Sequence, residues 1–382
     1  MAYPQNMHSG SDKLGEIALL EQIRARAAQA ARGGPFARGG LRLGIGDDCA
    51  LLRIGPGEEM AVTTDLAVDG RHFRLAWHSP ESIGHRTLAR GLSDLAAMGA
   101  RPVAAFLSLG LPRELVSAFP RTSSKTRRKI QSQKKNWVER FLDGFFALAH
   151  EFQTPLAGGD LAESPIAVAD IVLTGAVGRG KARLRSGARP GDLLYVTGTL
   201  GGAAVALARL AQWAETQSRT RAANSGPAQS TPPRIPVKLQ PLLAPHLFPQ
   251  PRVAQGLWLA GRGLASAAID LSDGLSTDLA HLCEESHVAA EVDAAALPIH
   301  SGASLAQALH GGEDYELLFT APPSARVPRR IAGVPVTRIG RILRQRRGRP
   351  TVALVNVQEG EGTQKGVRGA QTLAPRGWEH FS

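Results

Sequence analysis

The stretch Leu43-Gly44-Ile45-Gly46-Asp47-Asp48-Cys49-Ala50-Leu51-Leu52 sets two adjacent carboxylates inside an apolar, glycine-punctuated run. Burying like charges without compensation is costly. Read alone, the pair fits a hairpin turn equally well, since Asp is common in turns. The pattern recurs, however. Thr63-Thr64-Asp65 follows Met60-Ala61-Val62, Ser93-Asp94 interrupts an apolar run, and Gly158-Gly159-Asp160 follows Pro155-Leu156-Ala157. Ile269-Asp270-Leu271-Ser272-Asp273-Gly274 and Gly311-Gly312-Glu313-Asp314-Tyr315-Glu316 continue it. Turn chemistry predicts acids in loops, but not so regularly at the ends of apolar runs. Hard oxygen donors collected from several element ends are what Mg²⁺ and nucleotide phosphates require. The spacing therefore predicts a multi-metal phosphate site, with the rest of the chain as its scaffold.

Around these acids, strands and helices mix in both halves. Apolar spacing predicts a helix over Leu14–Ala31 and short strands at Leu41–Ile45 and Ala50–Ile54, on either side of the Asp pair. Another strand is predicted at Met60–Thr64. Ser79 as N-cap, Pro80 in the first turn and Gly99 as the stop bound a helix over Pro80–Met98. Strands at Val103–Leu109 and Ile166–Val177 and a helix at Phe141–Phe152 complete this half. Turn-rich Ala182–Asp192 marks the boundary, giving two α/β domains, 1–178 and 179–382. In the second domain, strands are expected at 193–197, 267–271, 290–292, 316–320, 334–339 and 352–357. Helices are expected at 203–215, 253–260, 275–286 and 304–309. A basic insertion, 121–135, and a Ser-, Arg- and Pro-rich excursion, 216–238, read as peripheral.

The 382 residues are enough for two cores. The formal charge of +12 is concentrated: seven basic residues and no acid lie in 121–135, and six arginines lie in 338–349. Such runs are usually solvated, and an aromatic content of 5% argues against a stacking platform for nucleic acid. Two cysteines outside any CxxC exclude a disulfide framework and a cysteine zinc site. Cys49 is expected to be a buried, inert thiol. No apolar run is long enough to cross a membrane, and Met1–Lys13 lacks the apolar stretch of a signal peptide. The expectation is a cytoplasmic protein without membrane or nucleic-acid partners.

Other candidates carry two readings each. The Thr197–Gly202 loop is a phosphate cradle at a helix N-terminus or a tight strand–helix turn; no Gly-Lys-Ser/Thr follows it. His72 and Arg185 are phosphate contacts or satisfied loop residues. Glu313, Asp314 and Glu316 bind a cationic substrate or form a polar turn. No serine nucleophile motif is present, so covalent acyl transfer has no support.

Together these motifs resemble the thiamine-monophosphate kinase family, within the superfamily of aminoimidazole ribonucleotide synthetase and selenophosphate synthetase. The resemblance runs from Gly15-Glu16-Ile17 to Gly311–Thr320, in the family's order. Ser93-Asp94-Leu95-Ala96-Ala97-Met98-Gly99-Ala100 and Gly311–Leu317 are its most specific parts. It implies a two-domain PurM-like fold whose N-terminal sheet domains join as a homodimer barrel. It also implies ATP-dependent transfer of a phosphoryl group to thiamine monophosphate, giving thiamine diphosphate, with several Mg²⁺ ions. By motif, the metal ligands would be Asp48, Thr63, Thr64, Asp65, Asp94, Asp160, Asp270 and Asp273, with Asp47 beside them. Gly159, Asp160, Arg185 and Ser272 would contact ATP. His72, Glu313 and the C-terminal Trp378 would contact thiamine monophosphate. Leu161-Ala162 stands where the family has Thr-Thr, and Gly91 where it often has Asn. The alternative is a sister ATP-dependent enzyme on another substrate. A selenophosphate-type enzyme would carry a reactive Cys near the N-terminus, and residues 1–43 hold none.

Overall fold

A computed structural model describes residues 21–29, 40–45, 49–116, 136–223, 235–357 and 371–377. Residues 21–29 form helix α1. Strands β1 (Leu41–Leu43) and β2 (Leu51–Leu52) pair antiparallel on either side of the Asp47-Asp48 position. The chain continues through β3 (Glu58–Val68), α2 (Pro80–Met98), β4 (Arg101–Leu111), the short α3 (Arg113–Val116), α4 (Trp137–Glu151), β5 (Leu156–Glu163) and β6 (Val168–Gly178). The second half holds β7 (Leu193–Thr197), α5 (Gly202–Ala223), α6 (Gln240–Leu247), α7 (Val253–Arg262), β8 (Ala267–Asp270), α8 (Leu275–Glu285) and β9 (Val288–Asp293). It ends with α9 (Leu305–His310), β10 (Leu317–Ala321), β11 (Arg330–Ile331), β12 (Val334–Arg344), β13 (Val352–Val355) and β14 (Gln371–Thr372).

Two main sheets result. The first has the order β3-β6-β4-β5, with only β4 and β5 parallel. The second has the order β14-β13-β9-β12-β7-β10-β8, with β11 beside β12. Both halves are mixed α/β. Helix α5 runs past the predicted end at Glu215 to Ala223, into the predicted excursion 216–238, and α6 begins just beyond that excursion at Gln240. The basic insertion 121–135 lies outside the described residues.

Helix α2 forms as its local signals dictate. Ser79 accepts from the Ser82 amide, and Gly99 stops the helix at φ +66°. The helix is buried nearly all round because it lies between the sheets. On one side it packs on α4 and the first sheet; on the other it meets α7 and β8. Strand alternation divides the second sheet in the same way. Leu317 and Phe319 of β10 enter the core shared with α2, while Leu318 faces a separate core with Leu279 and Leu282 of α8.

The α2–α4 crossing depends on two glycines. A Cβ added at Gly84 would overlap the Phe141 carbonyl, and one at Gly144 the Glu81 carbonyl. Gly84→Ala should therefore destabilise the protein by about 1–3 kcal/mol through overpacking. Denaturant unfolding measures this, and a change within about 0.5 kcal/mol, as for an ordinary surface substitution, would refute the close-packing account.

Candidate active site

Helix α2 carries Arg86, Arg90 and Asp94 at intervals of four residues, on one face. Arg90 grips Asp65 of β3 with two nitrogens, Nε–Oδ2 at 2.8 Å and NH2–Oδ1 at 2.7 Å. Thr63, two residues earlier on the same strand face, donates to Asp94 at 2.5 Å. From the same helix, Ser93 donates to Asp270 at the end of β8 at 2.7 Å. Asp273 follows in the turn that starts α8, and the buried Asp278 accepts from the Asp273 and Gly274 amides at 3.1 and 2.9 Å.

These groups border a cavity of about 810 Å³ between the two halves. Asp65, Asp94, Asp270 and Asp273 stand on its polar side, with Ser272 beside them. His72 and Glu313 also line it, so seven of the predicted site residues meet in one space. Arg185 sits outside the lining, yet its charge is felt by both Asp94 and Asp270.

Other predicted residues fall elsewhere. Strand alternation turns Thr64 to the opposite, exposed face from Thr63 and Asp65. Gly159 and Asp160 line a second cavity of about 650 Å³ at the β5 edge. In sheet register, Asp65 pairs with Ile171, Ile171 with Leu107 and Leu107 with Gly159. Three strand spacings, roughly 14 Å, separate the two positions. Asp47, Asp48 and Trp378 lie outside the described residues. Among the described residues, no three His, Cys, Asp or Glu donors come close enough to hold a metal ion. Each of these acids has a protein partner: Asp65 is paired with Arg90, Asp94 with Thr63, Asp270 with Ser93 and Asp278 with backbone amides.

The three acids of the Gly-Gly turn separate completely. Glu313 faces the cavity. Asp314 caps the start of α5, accepting from the Gly201 and Ala203 amides at 2.6 and 2.9 Å. Glu316 is buried against Arg252 and Thr197. The Thr197–Gly202 loop is thus a strand–helix turn whose amides are met by Asp314. Cys49 is exposed, contrary to expectation, because it lies in the loop between β1 and β2 and not on either strand; Cys283 is the buried thiol. Gly91 has a packing reason: a Cβ there would press on Leu173.

Sequence reasoning missed Arg86, Arg90, His78, His246 and Asp278. The four-residue spacing of Arg86, Arg90 and Asp94 was a usable signal for the first two. His246 comes from α6, and nothing in its own stretch announces the site.

Burial, and then the nearby Asp270, raise Asp94 to about 7. Burial, then Asp270 and Asp273, raise Asp278 to about 8. Burial also raises Asp270. A group of acids that resists ionising in this way fits a hard dication, whose charge would offset their mutual repulsion.

The chain was compared with known proteins. Residues 46–179 match the model for the AIR synthase related protein, N-terminal domain, and residues 189–353 match the one for its C-terminal domain. A thiamine-monophosphate kinase of Escherichia coli K12 is 37% identical over 354 residues, covering 90% of this chain and 93% of that protein. The crystal structure of thiamine-monophosphate kinase from Stenotrophomonas maltophilia K279a is similar at a TM-score of 0.66 and 37% identity, covering 88% and 95% of the two chains. The structure of AaThiL complexed with AMPPCP and TMP is similar at a TM-score of 0.65 and 25% identity, covering 98% and 100%.

The raised carboxylates set a stability signature. Their unfolded values lie near 4, so the folded state holds protons that the unfolded state has lost, and stability falls as pH rises toward 7–8. The buried His78, His85 and His246 have lowered values, which weakens the fold below about 6.5 instead. Between about pH 6.5 and 8 the carboxylates act alone. Thermal melting without divalent metal should therefore show Tm falling across that window; a flat or rising Tm would contradict the buried-acid assignment.

Proposed function

We propose that this chain, which belongs to the thiamine-monophosphate kinase family, transfers the γ-phosphoryl group of ATP directly to the phosphate of thiamine monophosphate, forming thiamine diphosphate. The observation that carries this reading is the 810 Å³ cavity, where four aspartates from three elements face a region lined by Arg71, Arg74 and Arg90. Two anionic substrates need cationic side chains to approach each other, and both kinds of group stand in this one space. The similarity to AaThiL, bound to AMPPCP and TMP, supports an ATP-like and a thiamine-phosphate ligand together.

Asp65, Asp94, Asp270 and Asp273 would hold Mg²⁺, and their acid-rich, desolvated setting fits that role. Bound there, Mg²⁺ supplies neutralisation of phosphate charge in the in-line transfer. The chain's own groups do the rest. Arg90 orients Asp65, Ser93 orients Asp270, and Asp278 holds the Asp273–Gly274 turn by its two amides. No side-chain nucleophile enters the scheme. The family pattern further suggests that Asp48 and Asp160 join the metal set, that Gly159, Asp160, Arg185 and Ser272 contact ATP, and that Trp378 contacts the thiamine.

Purified protein with ATP, Mg²⁺ and thiamine monophosphate should produce thiamine diphosphate, with none from thiamine alone. Absence of product from folded protein would favour a sister reaction on another substrate. Asp94→Asn and Asp273→Asn should each lower kcat by roughly 10²–10³-fold, the scale of losing one group that stabilises developing charge. Near-wild-type turnover would remove them from the metal set.

A second copy of this chain is the proposed partner of β3. Its outward row of Met60, Val62 and Leu66 is exposed by 41, 59 and 49%, an apolar sheet face with nothing of this chain over it among the described residues. A dimer through this face joins the two first sheets. Sedimentation should give a dimer for the wild type and a folded monomer for Val62→Asp; a dimer in both would place the interface elsewhere.

A further inference from the structure

Beside the aspartates, the cavity is walled by segments distant in sequence: residues 70–78, α5, α6 and the 311–315 turn. One chain of polar contacts crosses three of them. The Arg74 amide meets His78 Nδ1 at 3.1 Å. His78 Nε2 lies 3.0 Å from His246 Nε2, and His246 Nδ1 lies 3.2 Å from Glu313 Oε2. Glu313 Oε1 accepts from Arg86 NH2 at 2.6 Å. His78, His246 and Arg86 are each at most 4% exposed, so the chain is closed to water except at Glu313.

His246 Nδ1 also lies 3.0 Å from Arg86 NH1 and His78 Nδ1 lies 3.2 Å from the Arg74 carbonyl, and one of the two ring-proton assignments gives Glu313 Oε2 a donor. Arg86 NH1 has its acceptor in the His246 carbonyl at 2.5 Å, which leaves His246 Nδ1 to carry a proton toward the Glu313 carboxylate. His246 Nε2 is then an acceptor, His78 Nε2 carries the proton between the rings, and His78 Nδ1 accepts the Arg74 amide. The reverse assignment sets the His246 Nδ1 lone pair against a carboxylate oxygen. Burial keeps both rings from taking a second proton. Burial by itself would raise Glu313, but Arg86 and His246 together hold it well below the usual carboxylate range.

The Glu313 backbone is fixed as firmly. Its φ is +67°, and its amide donates to the Ser272 carbonyl at 2.7 Å. A non-glycine residue held there is over-determined by its surroundings. The same cavity is lined by Trp77 and by the α5 residues Leu207, Ala208 and Ala211. Apolar walls with one immobile anionic acceptor suit a flat heterocycle that presents an N–H donor.

We propose that His246, backed by His78, is a positioning residue that holds Glu313 as a fixed acceptor for the exocyclic amino group of the substrate's pyrimidine ring, and so selects amino- over oxo-pyrimidines. This rests on thiamine monophosphate being the substrate. A site built to accept a hydrogen bond rejects a ligand whose matching group is another acceptor, because both lone pairs are left unpaired.

The test is steady-state kinetics of the full chain with thiamine monophosphate and with oxythiamine monophosphate, in which a carbonyl replaces the amino group. Wild type should favour the amino compound by about 100-fold or more in kcat/KM. His246→Leu should raise KM for thiamine monophosphate about tenfold or more, the size of one lost charge-assisted contact, and narrow the preference, with KM for ATP moving far less. His246→Asn, whose amide N–H falls near the Nδ1 position, should recover most of both. Should His246→Leu not fold, Glu313→Gln carries the test, since its amide can donate to the oxo compound and should erase the preference. Equal behaviour of the Asn and Leu variants, an equal rise in KM for ATP, or a preference unchanged in Glu313→Gln overturns the relay while leaving the kinase reading intact. Wild type that phosphorylates neither compound overturns both.

Discussion

The Arg90–Asp65 pair and the Ser93–Asp270 hydrogen bond start one turn apart on α2, and they join the two sheets across it. Any helix in that place must bury nearly its whole surface, and this one does so while bringing two arginines and an aspartate into a water-poor junction. An unpaired charge there would be strongly destabilising. Each is therefore met: Arg90 by Asp65, Arg86 by Glu313, and Asp94 by the Thr63 hydroxyl. The position of the cavity-lining acids follows from the requirement that α2 be satisfied on both sides.

Environment, more than residue type, assigns the acids their tasks. Glu313, Asp314 and Glu316 share one turn, but one is held ionised at a cavity, one caps a helix and one closes a buried ion pair. Asp65 and Asp94 likewise differ. A bidentate arginine compensates the first, whereas the second gains only a hydroxyl and is pushed up by burial and by Asp270. A cluster of this kind has charge capacity in reserve for a cation.

Close packing sets the geometry within which this happens. Gly84 and Gly144 let α2 and α4 touch backbone to backbone, and Gly91 sets α2 close against the Leu173 side chain. The same tight approach carries Arg86 deep enough to reach the His246 carbonyl, the His72 carbonyl and Glu313 at once.

Local rules were enough to read much of this from the chain. Ser79, Pro80 and Gly99 bound α2 by capping chemistry that acts within one turn, and the unbroken apolar run Leu317-Leu318-Phe319 marks a strand with two buried faces. The recurring acids at the ends of apolar runs announced a phosphate-binding chemistry, since donor type is a property of the side chain alone. Partners at long range were not legible in this way. His78 and His246 are 168 positions apart, and Arg86 and Glu313 are 227 apart. Thr63 and Thr64 look equivalent as letters, yet the two-residue period of β3 sends one to Asp94 and the other to the opposite face. Asp160 has the same motif quality as Asp65, but three intervening strand spacings carry it to another cavity. Sequence determines which elements form and what chemistry they bear; which charges meet is decided only when α2 packs between the sheets, because burial and proximity, and not spacing along the chain, set what each charge costs and what it can hold.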